Sequence, residues 1–128
     1  MPRFIASLRD YLIDLGHGPF ALDNLSGAPR DLIAIYDAGG TPTALDENAP
    51  GSPETYEIQF RARNVSQENA RAALLAIQAD LHRLSGTNIG DYSIYVANAV
   101  ERPAVLTRDA SENWHLVSTY EITARENV

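Results

Sequence analysis

The sequence predicts an α+β fold, in which two helices cover one face of a mainly antiparallel, mixed sheet of about four to five strands. Two segments carry this prediction. Residues 54–63 alternate like a strand with one covered face, and residues 66–84 place their apolar side chains along one stripe of a helix. Because each element has a single apolar face, the two must bury those faces in a two-layer arrangement.

The strand alternates apolar and polar side chains with a period of two, which is typical of a sheet that is covered on one side. Its apolar set faces the predicted core, and its polar set leaves the opposite face of the sheet open. The apolar residues are Tyr56, Ile58, Phe60 and Ala62, and the polar residues are Glu57, Gln59, Arg61 and Arg63.

The helix begins after Ser66, whose hydroxyl is suited to accept a hydrogen bond from a free backbone amide at the N-cap. Opposite its core stripe lies a second face of small residues. Because alanine is the best helix former, this face fits an ordinary exposed surface as well as a contact with another element. The core stripe contains Ala70, Ala73, Leu74, Ile77, Leu81 and Leu84, and the second face contains Ala72, Leu75, Ala76 and Ala79.

The other elements give the order helix, strand, strand, helix, strand, strand, strand. A first helix covers residues 3–15 and ends at Gly16, a residue type favoured at helix C-caps. If the strand after the second helix pairs parallel with the 54–63 strand, that helix is a right-handed crossover. The further segments are a short extended piece at 20–25, an interior strand at 31–37 with apolar residues on both faces, and strands at 91–100, 104–108 and 114–125.

Residues 38–53 contain three glycines and three prolines, which predicts a long loop without regular structure. The stretch 37–57 has five acidic residues and no basic one. A chain of 128 residues with 45% hydrophobic content favours a single domain over residues 1–128 that includes this loop.

Composition excludes several classes of function. A net charge of −7 disfavours a protein that grips nucleic-acid phosphates, which needs clustered basic residues. The chain has no cysteine and therefore no disulfide or thiolate site. No apolar run is long enough to span a membrane. Asp10 and Asp14 interrupt the N-terminal apolar pattern, which predicts an amphipathic helix rather than a signal peptide and fits assembly in the cytosol.

The sequence points to no catalytic, cofactor or metal site. His17, His82 and His115 lie far apart without metal-ligand spacing, and the acidic loop lacks the oxygen spacing of a calcium site. Asp109, Ser111 and His115 contain the residue types of a hydrolase triad, but no nucleophile elbow or oxyanion loop accompanies them. Turn chemistry explains Asp109 and Ser111 adequately.

Several stretches resemble the small minor capsid and tail terminator proteins of long-tailed bacteriophages. These are the opening amphipathic helix, APRDLIAIYDAGGTP with the acidic loop after it, YEIQFRARNVSQENARAALLAIQADLHRL, and RPAVLTRDASENWHLVSTYEITAR. The resemblance implies an α+β structural protein of the virion tail or neck, assembled in the host cytoplasm and commonly forming a hexameric ring. Such a ring stops polymerisation of the tail tube, meets the head connector, and has no cofactor, active site or membrane segment.

Physical arguments then nominate surfaces for these contacts. A ring built from one repeated heterologous contact needs two different patches on each subunit. The candidates are the open sheet face (Arg61, Arg63, Glu121, Arg125) and the second face of helix two (Leu75, Ala76, Ala79). An acidic lumen would let DNA pass without sequence-specific binding, and its candidates are Asp37, Asp46, Glu47 and Glu54, which could equally face the tube. The alternatives are another neck protein, such as a connector or completion protein, or a small ligand-binding or hydrolytic α+β domain.

Overall fold

The computed structural model describes residues 3–23, 31–42 and 53–127, which form two helices and seven strands. This confirms the α+β class, but the number of strands is higher than predicted. In chain order the elements are α1 (Phe4–Asp14), β1 (Phe20–Leu22), β2 (Leu32–Pro42), β3 (Glu54–Asn64), α2 (Gln67–Leu81), β4 (Thr87–Ile89), β5 (Tyr92–Ala99), β6 (Ala104–Arg108) and β7 (Trp114–Glu126).

Local chemistry explains where α2 begins and where α1 ends. The Oγ atom of Ser66 accepts a hydrogen bond from the Asn69 amide at 3.2 Å, which confirms the predicted N-cap of α2. At the end of α1, Gly16 has a φ of +93°. The amides of Gly16 and His17 donate to the carbonyls of Ile13 and Leu12, the pair of bonds that forms a Schellman motif.

The longest strand, β7, lies at the centre of the sheet. The strand order is β1-β2-β3-β7-β5-β4, and β6 pairs with β7 beside β5. The antiparallel register of β7 with β3 runs from Asn64 opposite Trp114 to Glu54 opposite Ala124. Along its other edge, the second half of β7 pairs with β5 and the first half with β6.

The observed topology differs from the sequence-based description at three places, the first being the condition set for a right-handed crossover. β5 does not pair with β3, because β7 inserts between them and is antiparallel to both. β4 is a strand that the sequence pattern missed, and it forms a hairpin with β5 through Gly90 and Asp91. β2 continues to Pro42, through part of the segment predicted to lack regular structure. It does so across a bulge, where Gly39 has a φ of +104° and its amide donates to a side-chain oxygen of Asp37.

One hydrophobic core contains the inward faces of both helices and of the sheet. The predicted core faces of β3 and α2 are confirmed, and β7 buries Leu116, Tyr120, Ile122 and Ala124 beside them. In β2, residues 32–35 are all buried, as expected for an interior strand. The ring of Phe4 stacks on Tyr56 at a centroid distance of 4.6 Å and meets Tyr92 edge-on, so the start of α1 is fixed against β3 and β5. The largest buried side chains include Tyr120, Phe60, Ile5, Leu8, Leu12, Ile35, Ile58, Leu74, Ile77 and Leu81.

We expect Gly90→Ala to destabilise the protein more than Gly86→Ala. Both glycines have positive φ, +57° at Gly90 and +69° at Gly86, so each substitution costs roughly 1–2 kcal/mol in backbone conformation. A Cβ at Gly90 would also lie 2.9 Å from the Cβ of Ser7, whereas nothing lies within 4 Å at Gly86. Urea unfolding of both variants measures the difference, and equal losses would mean that α1 moves aside without cost.

Candidate interaction surfaces

The outer face of the sheet carries the four residues that the sequence nominated there. The register places Arg61 opposite Val117 and Arg63 opposite His115, while Glu121 and Arg125 lie farther along β7. Glu121 and Arg125 are exposed, but both β3 arginines are half-buried. The four side chains therefore share one face, spread along the length of β3 and β7 rather than gathered in one cluster.

The expectation that this face is open was wrong at Arg61. Its guanidinium lies 5.3 Å from the centre of the Tyr36 ring, and its Nε atom is buried without a hydrogen-bond partner among the described residues. Beside it, Ala34 of β2 is fully buried on the same face. The stem of an arginine can cover apolar surface while its charged end reaches water. Arg61 consequently packs within its own subunit as well as presenting charge.

Two carboxylates face each other across the exposed part of this sheet face. Glu57 of β3 is the register partner of Glu121 of β7, and both side chains are exposed. Like charges directly opposite each other in a sheet are destabilising. This pair forms an acidic spot on the face, between Arg61 of β3 and Arg125 of β7.

The second face of α2 is exposed, as predicted. Ala72, Ala76 and Ala79 are exposed to solvent, and 43% of the Leu75 surface is accessible. Beside Leu75 is a cavity of about 290 Å³ that Arg71, Arg102 and Pro103 also line.

Arg71 joins this helix to the chain that leads into β6. Its Nη1 atom donates to the carbonyl of Pro103 at 3.1 Å. The exposed face of α2 and the start of β6 thus form one continuous surface, which contains apolar side chains and two arginines.

The acidic residues nominated for a lumen do not all belong to a loop. Glu54 is the first residue of β3 and pairs with Pro42 at the hairpin connection, whereas Asp37 lies farther along β2, opposite Ile58. Asp46 and Glu47 lie outside the described residues. Burial, followed by the Glu54 carboxylate and its hydrogen bond, raises the pKa of the Tyr56 hydroxyl.

The β6–β7 hairpin brings Asp109 and His115 together, with 2.8 Å between Oδ2 and Nε2. Asp109 Oδ1 also accepts from the backbone amides of Ser111 and Asn113, at 2.9 and 3.0 Å. These bonds, led by the one with His115, lower the pKa of Asp109 to about 2. Ser111 thus meets Asp109 through its backbone amide, the turn chemistry that the sequence indicated.

The other histidines also make contacts within the fold. His17 Nε2 lies 2.5 Å from Asp80 Oδ2 and ties the end of α1 to α2, an interaction between residues 63 positions apart. His82 is exposed, as predicted, yet its Nδ1 accepts from the Ala99 amide at 3.0 Å. Within residues 3–23, 31–42 and 53–127, no three histidine or acidic side chains are arranged to hold a metal ion. No helix in that part of the chain has the length and apolarity to cross a membrane.

A family model for bacteriophage tail terminator proteins matches residues 11–126. The chain belongs to this family. No curated protein matches the sequence. Membership of the tail terminator family gives the chain a structural role in the phage tail and a place in the virion tail or neck, and it suggests a non-enzymatic protein.

We expect Asp109→Asn to lower the thermal midpoint at pH 7. The pKa of Asp109 falls from 3.8 to about 2 on folding, so its contribution to stability is complete above about pH 4 and disappears as the pH falls to about 2. The difference in midpoint between wild type and variant should therefore shrink across that window, as followed by circular dichroism. Glu112→Gln removes a carboxylate from the same loop and serves as the control. A difference that persists unchanged at pH 2 would contradict the assignment.

Proposed function

We propose that this chain forms a homo-oligomeric ring, hexameric as is common in the family, that caps the tail tube and joins it to the head. The observation that carries the proposal is the family match over residues 11–126. The partners are then other copies of the chain, the tail tube protein and the head connector protein. The ring assembles in the host cytoplasm before it enters the virion.

Two surfaces of different chemistry support a heterologous contact between subunits. One is the sheet face with Arg61, Arg63, Glu121 and Arg125, and the other is the exposed face of α2 with Leu75, Ala76 and Ala79. Head-to-tail association needs two such unlike patches, because each subunit uses one patch toward each neighbour. Small side chains on α2 permit a neighbour to approach its backbone closely.

We expect Ala76→Arg together with Ala79→Arg to prevent ring formation. Both positions are exposed on α2, so the subunit should keep its helical circular dichroism while two bulky charges block the contact. Light scattering after size exclusion, or negative-stain imaging of tails, measures assembly. Ala110→Arg, on the exposed hairpin loop, is the control. Intact rings in the double variant would show that this face of α2 is not the contact.

The acidic end of the β2–β3 hairpin is our candidate for the lumen. Glu54 lies at this end and Asp37 lies farther along β2, opposite Ile58, and both are exposed. In the sequence, Asp46 and Glu47 belong to the connection. A negative lining repels phosphates and lets DNA pass without being held.

We expect Asp46→Lys, Glu47→Lys and Glu54→Lys together to make the ring retain duplex DNA. Phosphate binding of this kind weakens steeply with salt, so binding at 50 mM salt should fall by orders of magnitude at 200 mM. Fluorescence anisotropy of a labelled duplex provides the measurement.

A matched control for this variant adds the same charge elsewhere, with Asp10→Lys, Asp14→Lys and Glu112→Lys, all at exposed positions. Equal DNA retention by both triple variants would place the hairpin end away from the lumen. Normal tails joined to heads after deletion of residues 45–52 would show that this connection contacts neither tube nor head.

A further inference from the structure

The edge strand β6 is exposed to solvent along its whole length. All five of its residues are exposed, including the apolar side chains of Val105 (42%) and Leu106 (48%). One edge of β6 pairs with β7, and no described strand pairs with the other. A bulge follows Val105, but the strand contains no lysine or proline. An edge that carries apolar side chains is a template for pairing with another chain.

At the opposite edge of the sheet lies β1, and a row of paired residues crosses the sheet from β1 to β6. The register partners run without interruption from Phe20 to Ile33, Ala62, Leu116 and Val105. Because β1 and β2 are parallel and the following pairs are antiparallel, β1 and β6 run in opposite directions. A second copy that continues this row would bring its β1 antiparallel to β6.

The free backbone groups of the two edges match at Phe20 and Val105. At the next outward pair, Leu22 opposite Pro103, the proline has no amide to donate and its carbonyl already accepts from Arg71. The carbonyl of Pro19 and the amide of Asp23 bond to β2, so by the alternation of a strand Phe20 directs its amide and carbonyl away from the sheet. On β7, the carbonyls of Asn113 and Thr119 point toward the side where β6 lies, so by the same alternation the amide and carbonyl of Val117 also point toward β6. Its partner Ala104 therefore directs its backbone groups toward β7, and the next residue, Val105, directs its amide and carbonyl away from the sheet. Phe20 and Val105 thus lie at the two ends of one row of register partners, and the backbone amide and carbonyl of each point away from the sheet.

Charge also favours this pairing over a symmetric one. In the same register, Asp23 of one copy falls opposite Arg102 of the next, and Asp23 is exposed although it pairs with Arg3. Pairing of β6 with β6 of another copy about Val105 would instead place Arg102 opposite Arg108, a repulsive arrangement. Charge complementarity therefore selects β1 rather than a second β6.

The helix layer carries exposed apolar side chains near both edges. Leu75 of α2 adjoins Pro103, just before β6, and Ile13 and Leu15 at the end of α1 precede β1 with 48% and 47% of their surface exposed. Both helices lie on the core side of the sheet. A neighbour that continues the sheet would bring its α1 end into the layer that contains Leu75.

We propose that neighbouring copies join edge to edge, with β1 of one subunit pairing antiparallel to β6 of the next, so that one sheet continues around the ring. This inference rests on the ring of the proposed function. It assigns the subunit contact to the two sheet edges and the helix layer beside them, in place of the sheet face that carries Arg61 and Arg63. Phe20 and Val105 exchange backbone hydrogen bonds, Asp23 meets Arg102, and the apolar ends of the two helix layers close over the junction.

The cysteine-free chain permits a direct test by disulfide trapping. Ala21→Cys and Ala104→Cys occupy the adjacent pair of the predicted register, where side chains lie closest across strands. Within one subunit β1 and β6 are separated by three strands, roughly 19 Å along the sheet, so an internal disulfide cannot form. Oxidation of the double variant, alone or on assembled tails, should give a ladder of covalent oligomers up to the ring size on a non-reducing gel.

Three comparisons decide the outcome. Each single cysteine variant should give at most a dimer, and Ala21→Cys with Ala110→Cys should give no ladder. Ala21→Cys with Leu106→Cys, and Ala21→Cys with Arg102→Cys, extend the scan to registers shifted by two residues in either direction. Rings that form by light scattering without a ladder in any register would overturn the edge pairing and leave the proposed function standing. Failure to form rings, both in solution and on tails, would overturn the proposed function itself.

Exchanging the charges of Arg102 and Asp23 tests the edge pairing independently of the disulfides. Arg102→Asp should weaken assembly about three-fold per contact, the scale of an exposed ion pair, and Asp23→Arg in the same chain should restore it. Restoration supports the pairing of these two positions. Additive losses would contradict it.

Discussion

The pairing of β3 with β7 is the constraint on which the rest of the structure depends. It joins eleven residues of β3 to the longest strand of the sheet, and it aligns their inward faces into one apolar surface. Both helices bury their stripes against that surface, and α2 starts directly after β3. β5 and β6 add to the far edge of β7, while β2 adds to β3. Loss of this pairing would leave two half-sheets and no common core.

Much of this arrangement follows from local pattern, and the rest depends on contacts that local pattern does not encode. The alternation of β3, the Ser66 cap and the stripe of α2 are all determined by side-chain chemistry within a few residues, and each was confirmed. β1 and β4 have three residues each, too few for a period of two to be distinguished from chance. The continuation of β2 to Pro42 depends on a bulge that accommodates glycine, and the position of β7 between β3 and β5 depends on long-range pairing.

The candidate surfaces were predictable to a similar extent. Periodicity placed Arg61 and Glu121 on one sheet face and Ala76 on the exposed side of α2. It gave no indication that Arg61 packs over Tyr36, because that contact crosses from one strand to its neighbour. The proximity of Asp109 and His115 was predictable because they are six residues apart in the sequence. The bond between His17 and Asp80 was not, because only the tertiary fold brings those two segments together. Family membership supplies the structural role, and the geometry of the edges suggests how it is performed.

The opposed carboxylates of Glu57 and Glu121 bear on how this sheet face can meet another surface. In a two-fold contact centred on this pair each copy would meet its own carboxylates, so four negative charges would lie together. The same face also carries Arg61, Arg63 and Arg125. A contact that sets the glutamate pair against basic side chains avoids that repulsion, so the position of the pair selects among the orientations in which this face can meet another surface.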